Sequence, residues 1–397
     1  MIRESRGVAG SHSSVLRRAN SIAIFHAIRL NPGISQREIG DRTGIDKSTI
    51  SAVINHFHSY DLLERVSGET RKGRGRPTEG FRIKGEVGLI LGIDITPERL
   101  VLMSAGLDGQ PLHTSEYPAL LSEEEFADGV ASAVADHLKV SRKDLVDLRS
   151  IGVCLPGLID RNGRLISSSN FHWGSVDVAG ELSARFGQRV WVDNDARGAG
   201  LAERLFGCCI DVDDYVFIDS HSGVGGALYL EGGIYAGSLG IAGEIGHTKI
   251  VPHGRLCQCG DGGCLSAYLS GPALRDSFRG SNLVVQTFSD MKALADEGNL
   301  HALSVLDEAG EILGFALSNF INLLNPPNIV IGGGLAVLAS HLMPPAERIL
   351  RRHALPEALV HCTILISDLS QQPHSRGPLA VALQGLSQLN SDGPFPW

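Results

Sequence analysis

The sequence predicts an N-terminal winged helix-turn-helix domain followed by two α/β lobes. Three observations predict it. Charges of opposite sign occupy separate segments, a helix, glycine turn and helix pattern opens the basic segment, and strands followed by helices occur twice in the acidic one. The chain has 397 residues with 43% hydrophobic and 20% charged residues and a net charge of −9. That is the composition of an ordered globular protein with room for two or three domains, and it excludes disordered, collagenous and small disulfide-rich classes. Residues 1–86 carry 15 Lys+Arg against 9 Asp+Glu, whereas the remainder carries 20 against 35. The mean charge therefore conceals a cationic head on an anionic body.

In the head, Leu16, Ala19, Ala23, Ala27 and Leu30 recur at steps of three and four, and Asn31-Pro32-Gly33 ends that helix. Ser35-Gln36-Arg37-Glu38 has capping-box spacing and predicts a second helix. Thr43-Gly44-Ile45 makes a turn, Asp46 is placed to cap, and Ile50, Val53, Ile54 and Phe57 form one apolar stripe. That leaves Lys47, Ser48, Thr49, Ser51 and Asn55 on other faces, the helix-turn-helix arrangement for reading duplex DNA. Gln36 and Arg37 join them as candidate DNA contacts. Glu64-Arg65-Val66 and Phe81-Arg82-Ile83 are expected to pair around the cationic segment 71–77. Its Arg71, Lys72, Arg74 and Arg76, spaced by glycine, suit phosphates or a narrow minor groove.

Beyond residue 87, strands are expected at 89–94, 100–103, a run to Tyr117, 151–154 and 215–219, with helices at 123–138 and 196–206. Glycine loops are expected at 223–226 and 231–233, and a glycine turn at 332–334. Two halves of this kind predict two lobes with ligand in the cleft between them. The expected division is 1–72 for the winged helix-turn-helix domain, 73–86 for a basic wing and linker, 87–194 plus 380–397 for the first lobe, and 195–379 for the second. No leader or membrane-spanning run is read, so a cytoplasmic location and no membrane partner are expected. Seven cysteines in a reducing compartment are not read as disulfides, and Cys257, Cys259 and Cys264 fall within eight positions, which points to a metal.

The run Ala242-Gly243-Glu244-Ile245-Gly246-His247, followed by Cys257-Gln258-Cys259-Gly260-Asp261-Gly262-Gly263-Cys264, resembles the signature of the ROK family of repressors, open reading frames and sugar kinases. With a winged helix in front, the chain is similar to the repressor branch. The resemblance implies the actin-like, hexokinase-like ATPase fold with two ribonuclease-H-like lobes. It selects His247 over His253 as the fourth ligand beside Cys257, Cys259 and Cys264, and four protein ligands make a closed, structural Zn2+ site. It implies sugar contacts at Asn170, Asn194, Asp195, Glu244 and His247, with an aromatic beside Asn170 for the apolar sugar face. No catalytic residue is expected in a repressor; in the kinases Asp195 would be the general base.

Two departures qualify the resemblance. The family usually has glutamate two positions after the last cysteine, and this chain has Ser266. The phosphate loop of ATP-using members is replaced by Asp94-Ile95-Thr96-Pro97-Glu98, where proline lacks an amide hydrogen and Glu98 adds negative charge. The expected function is therefore a sugar-responsive transcriptional regulator, a repressor of carbohydrate genes released from its DNA operator by a sugar inducer. A homo-dimer or homo-tetramer would match a palindromic operator. The alternatives are a sugar kinase with an appended DNA-binding domain and a regulator whose effector is another protein.

Overall fold

The computed structural model describes residues 11–67, 79–120, 122–171, 173–279, 283–369 and 375–388. The head contains α1 (Ser11–Leu30), α2 (Gln36–Thr43), α3 (Lys47–Ser59), β1 (Leu63–Ser67) and β2 (Glu79–Ile83). The capping box forms: the Ser35 amide donates to Glu38 Oε2 at 3.0 Å, and the Glu38 amide donates to Ser35 Oγ at 3.4 Å. Gly44 ends α2 at φ 68°, a left-handed conformation that glycine adopts without a Cβ penalty. Asp46 caps α3, whose Ile50, Val53, Ile54 and Phe57 are buried as the periodicity requires. β1 and β2 pair antiparallel, Leu63 opposite Ile83. The second wing strand thus lies within 73–86, and Arg71, Lys72, Arg74 and Arg76 lie outside the described residues.

The first lobe comprises β3 (Leu89–Ile95), β4 (Arg99–Gly106), β5 (Pro111–Pro118), α4 (Phe126–Val140), β6 (Leu148–Leu155), the short pair β7 (Leu158–Ile159) and β8 (Leu165–Ser167), α5 (Val178–Phe186) and β9 (Val190–Asn194). Its main sheet runs β5-β4-β3-β6-β9. The first three strands form an antiparallel meander, and β6 and β9 continue it in parallel. Alternate β3 residues face opposite sides: Leu89, Leu91, Ile93 and Ile95 join a core with α4 and α5, whereas Ile90 belongs to a different one.

α6 (Asp195–Phe206) then leads into the second lobe: β10 (Tyr215–Ser220), β11 (Val224–Leu230), β12 (Gly233–Ile234), α7 (Ser266–Leu269), α8 (Gly271–Ser277), α9 (Phe288–Asp296), α10 (Leu300–Leu324), β13 (Asn328–Ile331), α11 (Gly333–Val337), α12 (Ala339–His353), α13 (Pro356–Leu359) and β14 (Thr363–Ile366). Its sheet order, β12-β11-β10-β13-β14, repeats the first lobe: an antiparallel meander plus two parallel strands. The expected loop at 223–226 is corrected, because Val224, Gly225 and Gly226 already lie in β11. These glycines serve packing: a Cβ on Gly225 would stand 2.4 Å from Ala196 Cβ, and one on Gly226 2.3 Å from Ile245 Cδ1. The 332–334 turn is likewise the start of α11.

α14 (Gly377–Gln388) returns to the first lobe. Gly92 and Gly152 let it lie directly on β3 and β6; a Cβ on Gly152 would sit 2.3 Å from the Ala382 nitrogen. α6 is seated between lobes in the same way, Gly198 against Cys154 and Gly200 against Ala227. One hydrophobic cluster runs from Ile24, Phe25 and Ile28 of α1 through Leu379 and Leu383 of α14 and Leu205 of α6 to Phe217 of β10. The head is joined to the body there. Arg29, 6% exposed, donates from Nη2 to the Leu205 carbonyl at 2.9 Å and lies 5.3 Å from the Phe206 ring centre. Arg18 donates to the Ser387 carbonyl at 2.7 Å, and Arg42 pairs with Asp211 at 3.4 Å. Among the described residues no helix is long and apolar enough to cross a membrane.

Candidate functional site

A cleft of about 920 Å³ opens between the lobes, and Asn170, Asn194, Asp195, Glu244 and His247 all line it. Asn194 ends β9 and caps α6: its Oδ1 accepts from the amides of Ala196 at 2.9 Å and Arg197 at 3.1 Å, and its Nδ2 donates to the Gly157 carbonyl at 3.1 Å. Asn194 is therefore the cap of α6. Asp195 follows as the first helical residue, at the positive end of α6. Burial raises its carboxyl above the usual carboxylate range, and nearby Asp219 raises it further. Asn170 Nδ2 donates to Ser222 Oγ at 2.9 Å, linking a first-lobe loop to the second-lobe hairpin. The aromatics beside Asn170 do not face ligand: Phe171 and Trp173 stack at 4.5 Å in the first-lobe core.

Sequence reasoning missed Arg197, Asp219, His221 and Ser222. Arg197, 5% exposed, donates from Nε to Asp193 Oδ1 at 2.5 Å, from Nη2 to the Ile159 carbonyl at 3.0 Å, and from Nη1 to the Gly240 carbonyl. It ties the loop that precedes Glu244 to the first lobe. Asp193 lies in β9 and Arg197 in α6, so no helical spacing rule marks the pair in the sequence. His221 Nε2 stands 3.3 Å from Asp219 Oδ1, and that carboxylate raises the imidazole to about 9. Asp94, at the end of β3, is pushed up to about 7 by burial and by the charge of Asp195. Asp94 was marked in the sequence only as the start of the altered phosphate loop, and Asp219 and His221, with no motif spacing, gave no sequence signal.

The segment 94–98 closes on itself. The Thr96 hydroxyl donates to the Arg99 carbonyl at 3.0 Å and accepts from the Arg99 amide at 3.1 Å, so the β3–β4 turn uses its own polar groups. Ser266 is occupied as well: its Oγ accepts from the Val224 amide at 3.1 Å, tying α7 to β11.

At the cleft rim His247, Cys257, Cys259 and Cys264 bring one ligand atom each within 4.8 Å of the others. Cys259 Sγ and Cys264 Sγ are 3.7 Å apart, and Cys257 Sγ and His247 Nδ1 are 3.9 Å apart. A tetrahedral ion with bonds of ~2.0–2.3 Å sets its ligands about 3.3–3.8 Å apart, and these two pairs stand at or just beyond that spacing, so the set could hold one after a small contraction. Lys249 Nζ donates to Cys264 Sγ at 2.9 Å and pairs with Asp261 at 2.7 Å, placing a cation beside sulfurs that must ionise to bind metal. Gly263, at φ 79°, allows the turn, since a Cβ there would stand 1.9 Å from the Val251 carbonyl oxygen. His253 is not among the four.

On the head, Arg37, Lys47, Ser48 and Asn55 are exposed, and Gln36, Thr49 and Ser51 half-buried. Ser48 Oγ donates to Asp46 Oδ1 at 2.5 Å and Thr49 Oγ1 to Asp46 Oδ2 at 2.6 Å. Both hydroxyl hydrogens are thereby committed to the cap, and these side chains offer a ligand only their lone pairs. Those hydroxyls also hold the Asp46 carboxyl well below the usual carboxylate range.

Comparison with known proteins agrees with this layout. The MarR family pattern matches residues 18–73. The xylose repressor of Bacillus spizizenii is 26% identical over 330 residues, covering 83% of this chain and 85% of its own. The crystal structure of a ROK family transcriptional regulator, a homologue of the Escherichia coli MLC protein, superposes with a TM-score of 0.80 at 25% identity, covering 94% of this chain and 97% of its own. A ROK family glucokinase from Streptomyces griseus, solved with glucose and AMPPNP, gives 0.63 at 24% identity over 77% of this chain and all of its own. That likeness shows a shared fold. The ROK family pattern itself spans residues 90–385, both lobes with the cleft and the His/Cys cluster between them, and the chain belongs to the ROK family.

Proposed function

We propose that this protein is a sugar-responsive transcriptional repressor. The head binds operator DNA through α3 and the wing, and the cleft binds a sugar that lowers operator affinity. One observation carries the reading: α6 begins at Asn194-Asp195 in the cleft and ends at Leu205-Phe206, where Arg29 of α1 is held. Any displacement of the helix start by ligand is delivered to the helix that carries the head. Asn170, Asn194, Asp195, Glu244 and His247 are the sugar partners in this reading. Gln36, Arg37, Lys47, Ser48, Thr49, Ser51 and Asn55 are the DNA contacts in this reading, together with Arg71, Lys72, Arg74 and Arg76, which lie outside the described residues.

His247, Cys257, Cys259 and Cys264 would hold a structural Zn2+, with no open position for a reacting water. Bound there, the ion would fix the turn between Glu244 and His247 and so set where both side chains stand at the cleft. The body is a receptor rather than a kinase, because the Thr96–Arg99 turn has spent the hydroxyl and amide that a phosphate cradle would offer. A homo-dimer or homo-tetramer would place two heads on successive half-sites of a palindromic operator.

The test is a mobility shift on the protein's own promoter region with a panel of sugars, beside an assay of the same protein with ATP and each sugar. Binding that one sugar weakens, without phosphorylated product, is expected. Turnover at metabolic rates would establish the kinase instead, and release only by a protein partner would overturn the sugar.

A further inference from the structure

Of the seven cysteines, three belong to the His/Cys cluster, and Cys208 and Cys209 stand side by side just after α6 ends. Cys208 is exposed, whereas Cys209 is fully buried in the hydrophobic cluster that joins the head to the body. The turn that presents them is tied to α6. The Cys208 amide donates to Glu203 Oε2 at 3.1 Å and its thiol to the same oxygen at 3.4 Å, while the Cys209 amide donates to the Glu203 carbonyl at 3.1 Å. Glu203 is itself 1% exposed and held by the Ser367 hydroxyl. The pair lies between two contacts of the head: Arg29 reaches the Leu205 carbonyl and the Phe206 ring just before it, and Arg42 meets Asp211 just after it.

The two sulfurs are 4.0 Å apart. A direct disulfide of ~2.05 Å would require an approach of about 2 Å, between neighbouring Cα atoms ~3.8 Å apart where disulfides usually span ~4.4–6.8 Å. A single soft atom bonded to both sulfurs at ~2.3 Å sets them about 3.3–3.8 Å apart, so the pair closes on it by only a few tenths of an ångström. The geometry favours bridging over oxidation. The hydrogen bond between the two thiols, then burial and the charge of Glu203, raise the Cys208 thiol above its ordinary range. A protonated pair is a poor target for oxidants, which attack thiolate, and it suits a reagent whose own oxygen carries the protons away.

We infer that Cys208 and Cys209 form a dithiol site for a soft, thiophilic species of the trivalent-arsenical class, and that its occupation loosens the joint between head and body. Each thiol exchanges its S–H bond for an S–As bond; both protons leave with the arsenical oxygen as water, and no atom changes oxidation state. Bridging draws the Cys209 sulfur out of the joint cluster and shifts the backbone between Leu205 and Asp211, the stretch that both arginines hold. A head released from its placement should bind operator less tightly. That consequence rests on the reading of the head as DNA-binding, whereas the site does not.

The experiment treats the zinc-loaded full chain with one equivalent of phenylarsine oxide, rinses it with excess glutathione, and locates the adduct by peptide mass spectrometry. A monothiol does not displace a two-sulfur chelate. One adduct that survives glutathione and leaves with dimercaptopropanol is expected on the peptide carrying Cys208 and Cys209. Cys208→Ser, a change at an exposed position, should abolish it, and Cys209→Ala should do so independently. An adduct confined to the peptide of Cys257, Cys259 and Cys264, or one that survives in Cys208→Ser, overturns the site. Anisotropy on an operator fragment should show affinity falling at least about fivefold in the adduct, the lower end for two coupled sites, with no fall in treated Cys208→Ser protein. An adduct with unchanged operator affinity overturns the coupling. Failure of the untreated protein to bind any operator fragment refutes the DNA reading and leaves the dithiol site standing.

Discussion

Arg29→Ala tests whether the cleft reaches the head through α6. Its guanidinium is buried, and burial lowers its pKa only to about 10, so it is charged at neutral pH. Alanine removes the donor at the Leu205 carbonyl, which costs ~1–3 kcal/mol for a buried acceptor left unpaired. It also removes the cation from the Phe206 ring, roughly 0.5–2 kcal/mol. The joint therefore loses about 1.5–5 kcal/mol, at least as large as the ~1–3 kcal/mol that usually couples two sites. Fluorescence anisotropy on an operator fragment, with and without the effector, should show operator affinity within about threefold of wild type and a sugar response reduced to less than about threefold. Calorimetric sugar affinity should be unchanged, which separates uncoupling from unfolding. Arg29→Lys, which restores the charge near Phe206, should recover part of the response. A full sugar response in folded Arg29→Ala protein would refute α6 as the link.

Cys259→Ser should lose the bound metal, measured by elemental analysis of purified protein, together with the sugar response; a metal-free protein that still responds would refute the metal's role. Ser266→Ala leaves the buried Val224 amide without its acceptor and should lower stability by ~1–3 kcal/mol in a denaturant titration. His26 stands 3.4 Å from the Ser387 hydroxyl on α14, and burial, then Arg29 and Arg204, lower its pKa from the ordinary 6.5 to about 3. Its neutral form belongs to the folded joint, so stability is intact above pH 6.5 and falls as the pH drops toward 3, by at most ~1.4 kcal/mol per unit. Thermal unfolding should show a lower midpoint at pH 5 than at pH 7, and His26→Gln should flatten that slope. Replacing Arg74 and Arg76 with alanine should weaken operator binding and flatten its dependence on salt; an unchanged slope would assign that segment to a linker.

Local rules made much of the fold legible. The Ser35–Glu38 box, the Asp46 cap, the stripe from Ile50 to Phe57 and the strand runs each depend on neighbours a few residues away, and each forms in the structure. The cluster of Cys257, Cys259 and Cys264 was legible because three cysteines fall within eight positions, whereas the resemblance was needed to choose His247 over His253 as the residue that joins them. What escaped depends on pairing across the lobes. Asp219 and His221 pair two positions apart where no motif marks them, and they meet Asp195 and Asp94 only in the folded chain. Gly225 and Gly226 read as a loop because glycine serves turns and close packing alike, and only the arrival of Ala196 and Ile245 decides between them. An aromatic beside Asn170 was expected against the apolar sugar face, but the first-lobe core claims both Phe171 and Trp173.

One frame can serve catalysis or sensing according to where the energy of cleft closure is delivered. In an ATP-using enzyme, closure aligns phosphates against the acceptor hydroxyl, and a flexible, donor-rich turn after β3 receives them. Here that turn is bonded to itself through Thr96 and Arg99, while α6 is packed against both lobes through Gly198 and Gly200 and gripped at its far end by Arg29. A helix held along its length moves as a body or not at all. Closure can shift the head only by the difference in ligand affinity between its two placements, and each ~1.4 kcal/mol of that difference changes operator affinity tenfold. Under the proposed reading, a ligand that fills the cleft without drawing Asn194-Asp195 toward it would bind and leave the operator occupied. Sugars that bind this cleft should therefore divide into inducers and silent competitors according to their contact with Asp195 rather than their affinity.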